Sequence, residues 1–154
     1  SVCLGSYIPW DVRKQVDLIK EDLGWQGDEV EGVPPEYNYE KIECFMQGVR
    51  DYIKYLKRGF GRTSHLASID IRNGRLSRDE GEALVAAYDG KRPGSLDVFL
   101  HYLGISEADF MEIVNGHVVS PHEALDLDWA EANKMSQKPW DFEQWTRVGG
   151  ADEA

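Results

Sequence analysis

Between residues 40 and 58 the apolar positions Ile42, Phe45, Met46, Val49, Tyr52, Ile53 and Leu56 recur every three or four residues. That spacing predicts a helix over 40–58 with one buried face. Arg50, Lys54, Lys57 and Arg58 fall on a different side of it, toward a cleft or water. Val12, Val16, Ile19 and Leu23 make a second stripe. Asp11 is a suitable N-cap and Gly24 a stop, so a helix is predicted over 11–23. Ser77-Arg78-Asp79-Glu80 has the form of a capping box, and Leu84, Val85 and Tyr88 give the helix over 78–89 its buried face. Shorter helices are predicted over 95–103 and 107–115, opened by Ser95 and Ser106 and closed by Gly104 and Gly116.

Residues 2–8 read as one short apolar strand ended by Pro9, and 24–39 as loop, because glycines and prolines interrupt any period. A lone strand must join a sheet to satisfy its backbone groups. The expected partner strands lie upstream of Ser1. From Lys134 the pattern is irregular; Trp140, Phe142 and Trp145 are placed to fold back, and the last six residues read as disordered. The fold class expected is mainly α, with one short N-terminal strand and a single unit over 1–133.

Composition changes this picture mainly through charge. The 154 residues carry a net charge of −11. From Arg50 to Arg78, however, eight cations face only Asp51 and Asp70, so that stretch carries +6 and the remaining 125 residues −17. One basic segment on an acidic body suggests a site for a phosphate or pyrophosphate. Solvated helix faces paired with nearby acids would give the same count. A general nucleic-acid surface would make more of the domain basic. No apolar run approaches the roughly 20 residues of a membrane span, and no secretory leader is present, so a cytoplasmic location is expected.

The chemistry with the clearest local form is Gly59-Phe60-Gly61-Arg62-Thr63-Ser64. Two glycines permit close backbone approach. Thr63 or Ser64 can cap a helix over 64–73, with Gly74 past its end. A helix start beside Lys57, Arg58 and Arg62 offers N–H groups and positive side chains to phosphate oxygens. Arg72, Arg75 and Arg78 are a second rank. Asp70 suits an ion-pair organiser for Arg62 or Arg72, or a substrate contact. His117 and His122 do not have zinc-motif spacing, His65 suits capping or packing, and Cys44 reads as a small buried residue. No metal site is expected. No phosphate loop, dinucleotide fingerprint or nucleophile elbow occurs.

Several runs in order resemble the C-terminal part of N-acetyl sugar amidotransferases. They are Tyr7-Ile8-Pro9-Trp10-Asp11, Tyr37 to Cys44, Gln47 to Tyr52, Lys57 to Thr63, Leu66 to Arg75, Ser77 to Glu80 and Tyr88 to Pro93. The resemblance spans roughly residues 5–117. It implies the helical C-terminal part of an α/β PP-loop fold (adenine nucleotide alpha hydrolase-like). It also implies a role in lipopolysaccharide O-antigen or pseudaminic acid-type sugar biosynthesis. The implied reaction converts a sugar N-acetyl group to acetamidino: ATP with Mg2+ adenylylates the amide oxygen, and ammonia then displaces AMP. The family's Ser-Gly-Gly-x-Asp-Ser loop has no counterpart here, so the chain is expected to be inactive without an N-terminal PP-loop half. Further implied partners are a glutaminase-type ammonia donor and a nucleotide-linked N-acetyl sugar. On this resemblance Lys57, Arg58, Gly59, Gly61, Arg62, Arg72 and Arg75 would contact the ATP phosphates, and the 32–43 loop would help form the sugar pocket. The alternatives are a tRNA-modifying PP-loop relative and a non-catalytic interaction module.

Overall fold

The computed structural model describes residues 1–135 apart from Glu29 and Phe45. The expectations for Trp140, Phe142, Trp145 and the C-terminal residues lie outside these, and Phe45 of the 40–58 stripe does too. Seven α-helices occur among the described residues: α1 Val12–Leu23, α2 Gln47–Arg58, α3 Arg62–Arg72, α4 Arg78–Tyr88, α5 Ser95–Leu103, α6 Glu107–Asn115 and α7 Leu127–Ala132. The chain is mainly helical, and its extended pairing among these residues is one isolated parallel bridge, Arg92 with Lys134.

The predicted strand over 2–8 is absent. Leu4–Ser6 instead form a 3-10 turn, with Ser6 N donating to Cys3 O (3.0 Å) and Tyr7 N to Leu4 O (2.9 Å). Gly5-Ser6 favours a turn, and with no strand alongside the backbone satisfies itself locally. Val2, Leu4, Tyr7, Ile8 and Trp10 are all left exposed.

The helix predicted over 40–58 begins only at Gln47. Lys41 adopts a positive φ of 52°, which breaks helical geometry ahead of it. The apolar stripe divides accordingly. Val49, Tyr52 and Leu56 enter the main core with Leu96, Leu100, Phe110, Met111, Val114 and Ala130, drawn from α2, α5, α6 and α7. Ile42 packs instead on a smaller cluster of Val30, Val33, Tyr37 and Leu66. Helical spacing from Ile42 onward was a coincidence of two separate packing sites.

Local caps explain most of the other ends. Ser77 with Glu80 and Ser106 with Asp109 form complete capping boxes. Gly24, Gly59 and Gly104 end their helices in the left-handed region, where lack of a Cβ removes the steric cost. Helix α7, which no periodic pattern announces, is capped by Asp126 accepting from Trp129 N at 2.8 Å. It lays the Trp129 ring on Tyr55, with centroids 5.8 Å apart. Cys44 is exposed, contrary to the buried reading, because residues 40–44 lie in turns ahead of α2.

Candidate functional site

The glycine turn after α2 is shaped by partners elsewhere in the chain. A Cβ on Gly59 would come 2.8 Å from His122 Nδ1, and a Cβ on Gly61 would overlap the Asp89 carboxylate. Asp89 fills the position the sequence suggests for a phosphate. Its Oδ2 accepts from Gly61 N at 2.8 Å and from Ser64 N at 3.1 Å, and its Oδ1 from Thr63 N at 3.0 Å. Ser64 Oγ donates to Oδ2 at 2.5 Å. A carboxylate on these amides satisfies donors a helix start leaves open and complements its dipole. This is why α3 starts at Arg62: its cap comes from Asp89, not from Thr63 or Ser64.

The predicted cations do not gather at one point. Arg62 is only 6% exposed, and its Nε donates to Asp51 Oδ2 at 2.7 Å and its Nη1 to the Glu40 carbonyl at 2.9 Å. That pairing fastens α3 to α2 and to the preceding turn. Arg75 belongs to a different cluster, described below. Arg72 is exposed, donates to Ser68 Oγ at 2.9 Å, and lines an open groove between α3 and α4 with Arg78. Arg78 pairs with Glu82 on the surface. Lys57 and Arg58 have no ion-pair partner among the described residues. His65 is exposed on α3. Charge concentrated along the sequence is thus dispersed in space. As a triphosphate cradle the turn does not fit: its amides already hold Asp89 and Arg62 is engaged.

Asp70 is the centre of the most connected polar cluster. It is buried on α3 and does organise ion pairs, but with Arg13 and Arg75, not Arg62 or Arg72. Its Oδ2 accepts from Arg13 Nη2 at 2.8 Å and Tyr37 Oη at 2.9 Å, and its Oδ1 from Arg75 Nε at 2.7 Å. Arg75 Nη1 also reaches both Asp11 oxygens at 3.3 Å. Burial alone would push the Asp70 carboxyl up, but the bonds from Arg13, Arg75 and Tyr37 outweigh it and hold the group below its ordinary value. Burial and the bond donated to Asp70 raise the Tyr37 phenol to about 12. The Arg13 guanidinium carbon lies 4.6 Å from the Tyr37 ring centroid and 5.2 Å from that of Tyr39. The buried Nε of Arg13 has no hydrogen-bond acceptor among the described residues; the two ring faces supply the electrostatic compensation.

Beside this cluster, between the start of α1, the Tyr39–Glu40 turn and α3, lies a cavity of about 240 Å³. Trp10, Tyr39, Glu40, Leu66, Asn73 and Arg75 are among its lining residues. Tyr39 and Glu40 come from the 32–43 loop.

Two further buried pairings are structural. Arg92 donates to Glu107 (2.7 and 2.9 Å) and Asp97 (2.6 Å), joining the loop after α4 to α5 and α6. Glu31 accepts from Ser95 N at 3.1 Å and from the Ser95 hydroxyl, at the start of α5. Sequence reasoning missed Arg13 and Asp89 as site residues and reached Tyr37 only as part of the 32–43 loop. Arg13 is the second residue of α1, at ordinary surface spacing, and Asp89 lies 28 residues from Gly61, so no local motif marks either.

A family model described as LPS biosynthesis protein WbpG-like, C-terminal domain, matches residues 31–146. No curated protein and no solved structure matches the chain.

Proposed function

The chain belongs to the WbpG-like C-terminal domain family of lipopolysaccharide biosynthesis proteins, and from that premise we propose that it is the helical C-terminal part of an ATP-dependent N-acetyl sugar amidotransferase. The family match over residues 31–146 carries this reading. In the reaction, the amide oxygen of an N-acetyl group attacks the α-phosphorus of ATP and pyrophosphate leaves. Ammonia then adds to the imidate carbon, AMP departs with the oxygen, and an acetamidino group remains. An amide oxygen is a poor leaving group until it is adenylylated, which is the reason for the nucleotide.

In this proposal an N-terminal PP-loop half supplies the phosphate loop and Mg2+ binding, and a glutaminase-type partner supplies ammonia. Lys57 and Arg58, which have no ion-pair partner among the described residues, are cations this chain offers toward the phosphates. The exposed Val2, Leu4, Tyr7, Ile8 and Trp10 offer apolar area for contact with the N-terminal half. The test is ATP–pyrophosphate exchange by the full reading frame, with and without a nucleotide-linked N-acetyl sugar. Sugar-dependent exchange, together with an ammonia-dependent product in which NH replaces O, supports the reading. Absence of both overturns it.

One observation favours a second reading, a non-catalytic interaction module: the amides of the glycine turn are already occupied by Asp89. Sugar-dependent exchange unchanged by neutralising Lys57 and Arg58 together would favour that role for this part of the protein. The tRNA-modifying alternative draws no support from the dispersed cations.

A further inference from the structure

We infer that the open groove between α3 and α4 is the seat of the chain's own C-terminal segment Trp140–Trp145, which docks its aromatic side chains there and joins the two helices from outside. The inference is independent of the chemistry proposed above.

Helix α4 has little to pack on. Gly81 is its one buried residue among the described residues; Leu84 and Val85 are half-buried and Ala86 is exposed. At Gly81 the two helices approach so closely that a Cβ would lie 2.6 Å from Ile71 Cδ1. Around that contact Ala67, Ile71, Val85 and Ala86 leave a groove of about 530 Å³. The small side chains leave room, and Ile71 and Val85 give apolar area that flat aromatic rings cover well.

Charge sits at one end of the groove, where Arg72 closes α3 and Arg78 opens α4. Glu82 is the one carboxylate among the lining residues, so the walls carry a net +1 on a chain of net −11. The cavity between α1 and α3 has the opposite balance, with Arg13 and Arg75 facing Asp11, Glu40 and Asp70. Arg72 has no ion-pair partner among the described residues. The segment Trp140-Asp141-Phe142-Glu143-Gln144-Trp145 sets aromatic residues between two carboxylates. An apolar groove with a cationic end complements that pattern in both respects.

Chain geometry supplies the reach. Met135, the last described residue, donates its N–H to the Arg92 carbonyl at 3.1 Å. Arg92 follows Asp89 by three residues, at most about 11 Å of chain. Asp89 in turn holds the amide of Ser64, which lines the near end of the groove with Ala86. From Met135 to Trp140 the backbone extends up to about 17 Å, enough to bring Trp140 to that end. Residues 140–145 then cover the roughly 12 Å of helix from Ser64 to Arg72, which carries Asp141 and Glu143 toward the arginines. The family match runs to residue 146, one past Trp145, so these aromatic residues belong to the matched domain.

The test is fluorine NMR of the full chain carrying fluorotryptophan at its five tryptophans, assigned by single Trp→Phe variants, with the free peptide 136–154 as reference. The expected result is Trp140 and Trp145 resonances displaced from their peptide positions, by an amount independent of protein concentration. Ala86→Glu puts a carboxylate into the groove at an exposed helical position. It should lower the docked-to-free ratio ~10-fold and return both resonances toward the peptide positions, with Trp129 unchanged on Tyr55. Asp141→Lys combined with Glu143→Lys should act in the same direction, and it alone decides if Ala86→Glu disturbs Trp129. Three results would each overturn the proposal: peptide-like resonances in the parent, displaced resonances that neither variant moves, or a displacement that grows with protein concentration, which would put a second copy in the groove.

Discussion

Asp89 Oδ2 lies 2.8 Å from the amide nitrogen of Gly61, 28 residues earlier in the chain. This contact converts an apparent phosphate turn into an internally satisfied helix start. Asp89→Ala should destabilise the chain by about 2 kcal/mol, the upper range for loss of a helix cap, measured by urea unfolding. The vacated amides should then accept a small anion. Sulfate should raise the melting temperature of the variant more than that of the parent.

Gly61→Ala should act through the same contact, because its Cβ would overlap the Asp89 carboxylate. Residues sharing one interaction are non-additive. In the Asp89→Ala background the glycine substitution should therefore cost less than in the parent by at least about 0.5 kcal/mol. Equal costs in a double-mutant cycle would show that the two positions act separately.

The capping box at Ser77 and the cap at Ser106 were legible because a cap and its partner lie within four residues, and glycine stops announce themselves in the same way. The Asp89 cap has no such signature. Its donors belong to one turn and its carboxylate to the end of another helix, so only the packing of α3 against α4 brings them together. The 40–58 stripe misled for a related reason. Periodicity reports apolar spacing but not which core receives each residue, and Ile42 and Val49 go to different ones. At the candidate site the sequence suggested Asp70 as an ion-pair organiser for Arg62 or Arg72, or as a substrate contact; it organises Arg13 and Arg75 instead. Its partners Arg13 and Tyr37, 57 and 33 residues away, carry no mark of that role.

The Asp70 cluster should set part of the acid limb of stability. A carboxyl held below its ordinary value contributes stability that is present above the unfolded-state value of about 4 and lost as pH falls through the folded-state value. Urea midpoints should therefore drop below about pH 4 in the parent and drop less in Asp70→Asn. At neutral pH that variant should be weaker by about 2 kcal/mol. This is less than for a fully buried pair, because the Arg13 and Arg75 side chains remain 25% and 30% exposed.

Arg62 and Arg58 should separate cleanly despite their closeness in sequence. Arg62→Ala leaves Asp51 without its buried partner and should cost about 3 kcal/mol. Arg58→Ala, at an exposed site, should stay within about 0.5 kcal/mol. In the full reading frame, Arg58→Ala should instead lower ATP–pyrophosphate exchange. Thermal melts alongside the exchange assay distinguish lost folding from lost phosphate contact.

Val16 is the only residue of α1 buried among the described residues. The helix is fastened by polar contacts: Arg13 to Asp70 and the Glu36 carbonyl, Asp11 to Arg75, and Lys20 to Asn38. Brine or acid, which weakens ionic bonds while sparing oily contacts, should peel this flap from the bundle before the bundle itself melts. Trp10, Asp11, Val12 and Arg13 line the adjoining cavity, so that cavity loses one wall whenever the flap lifts.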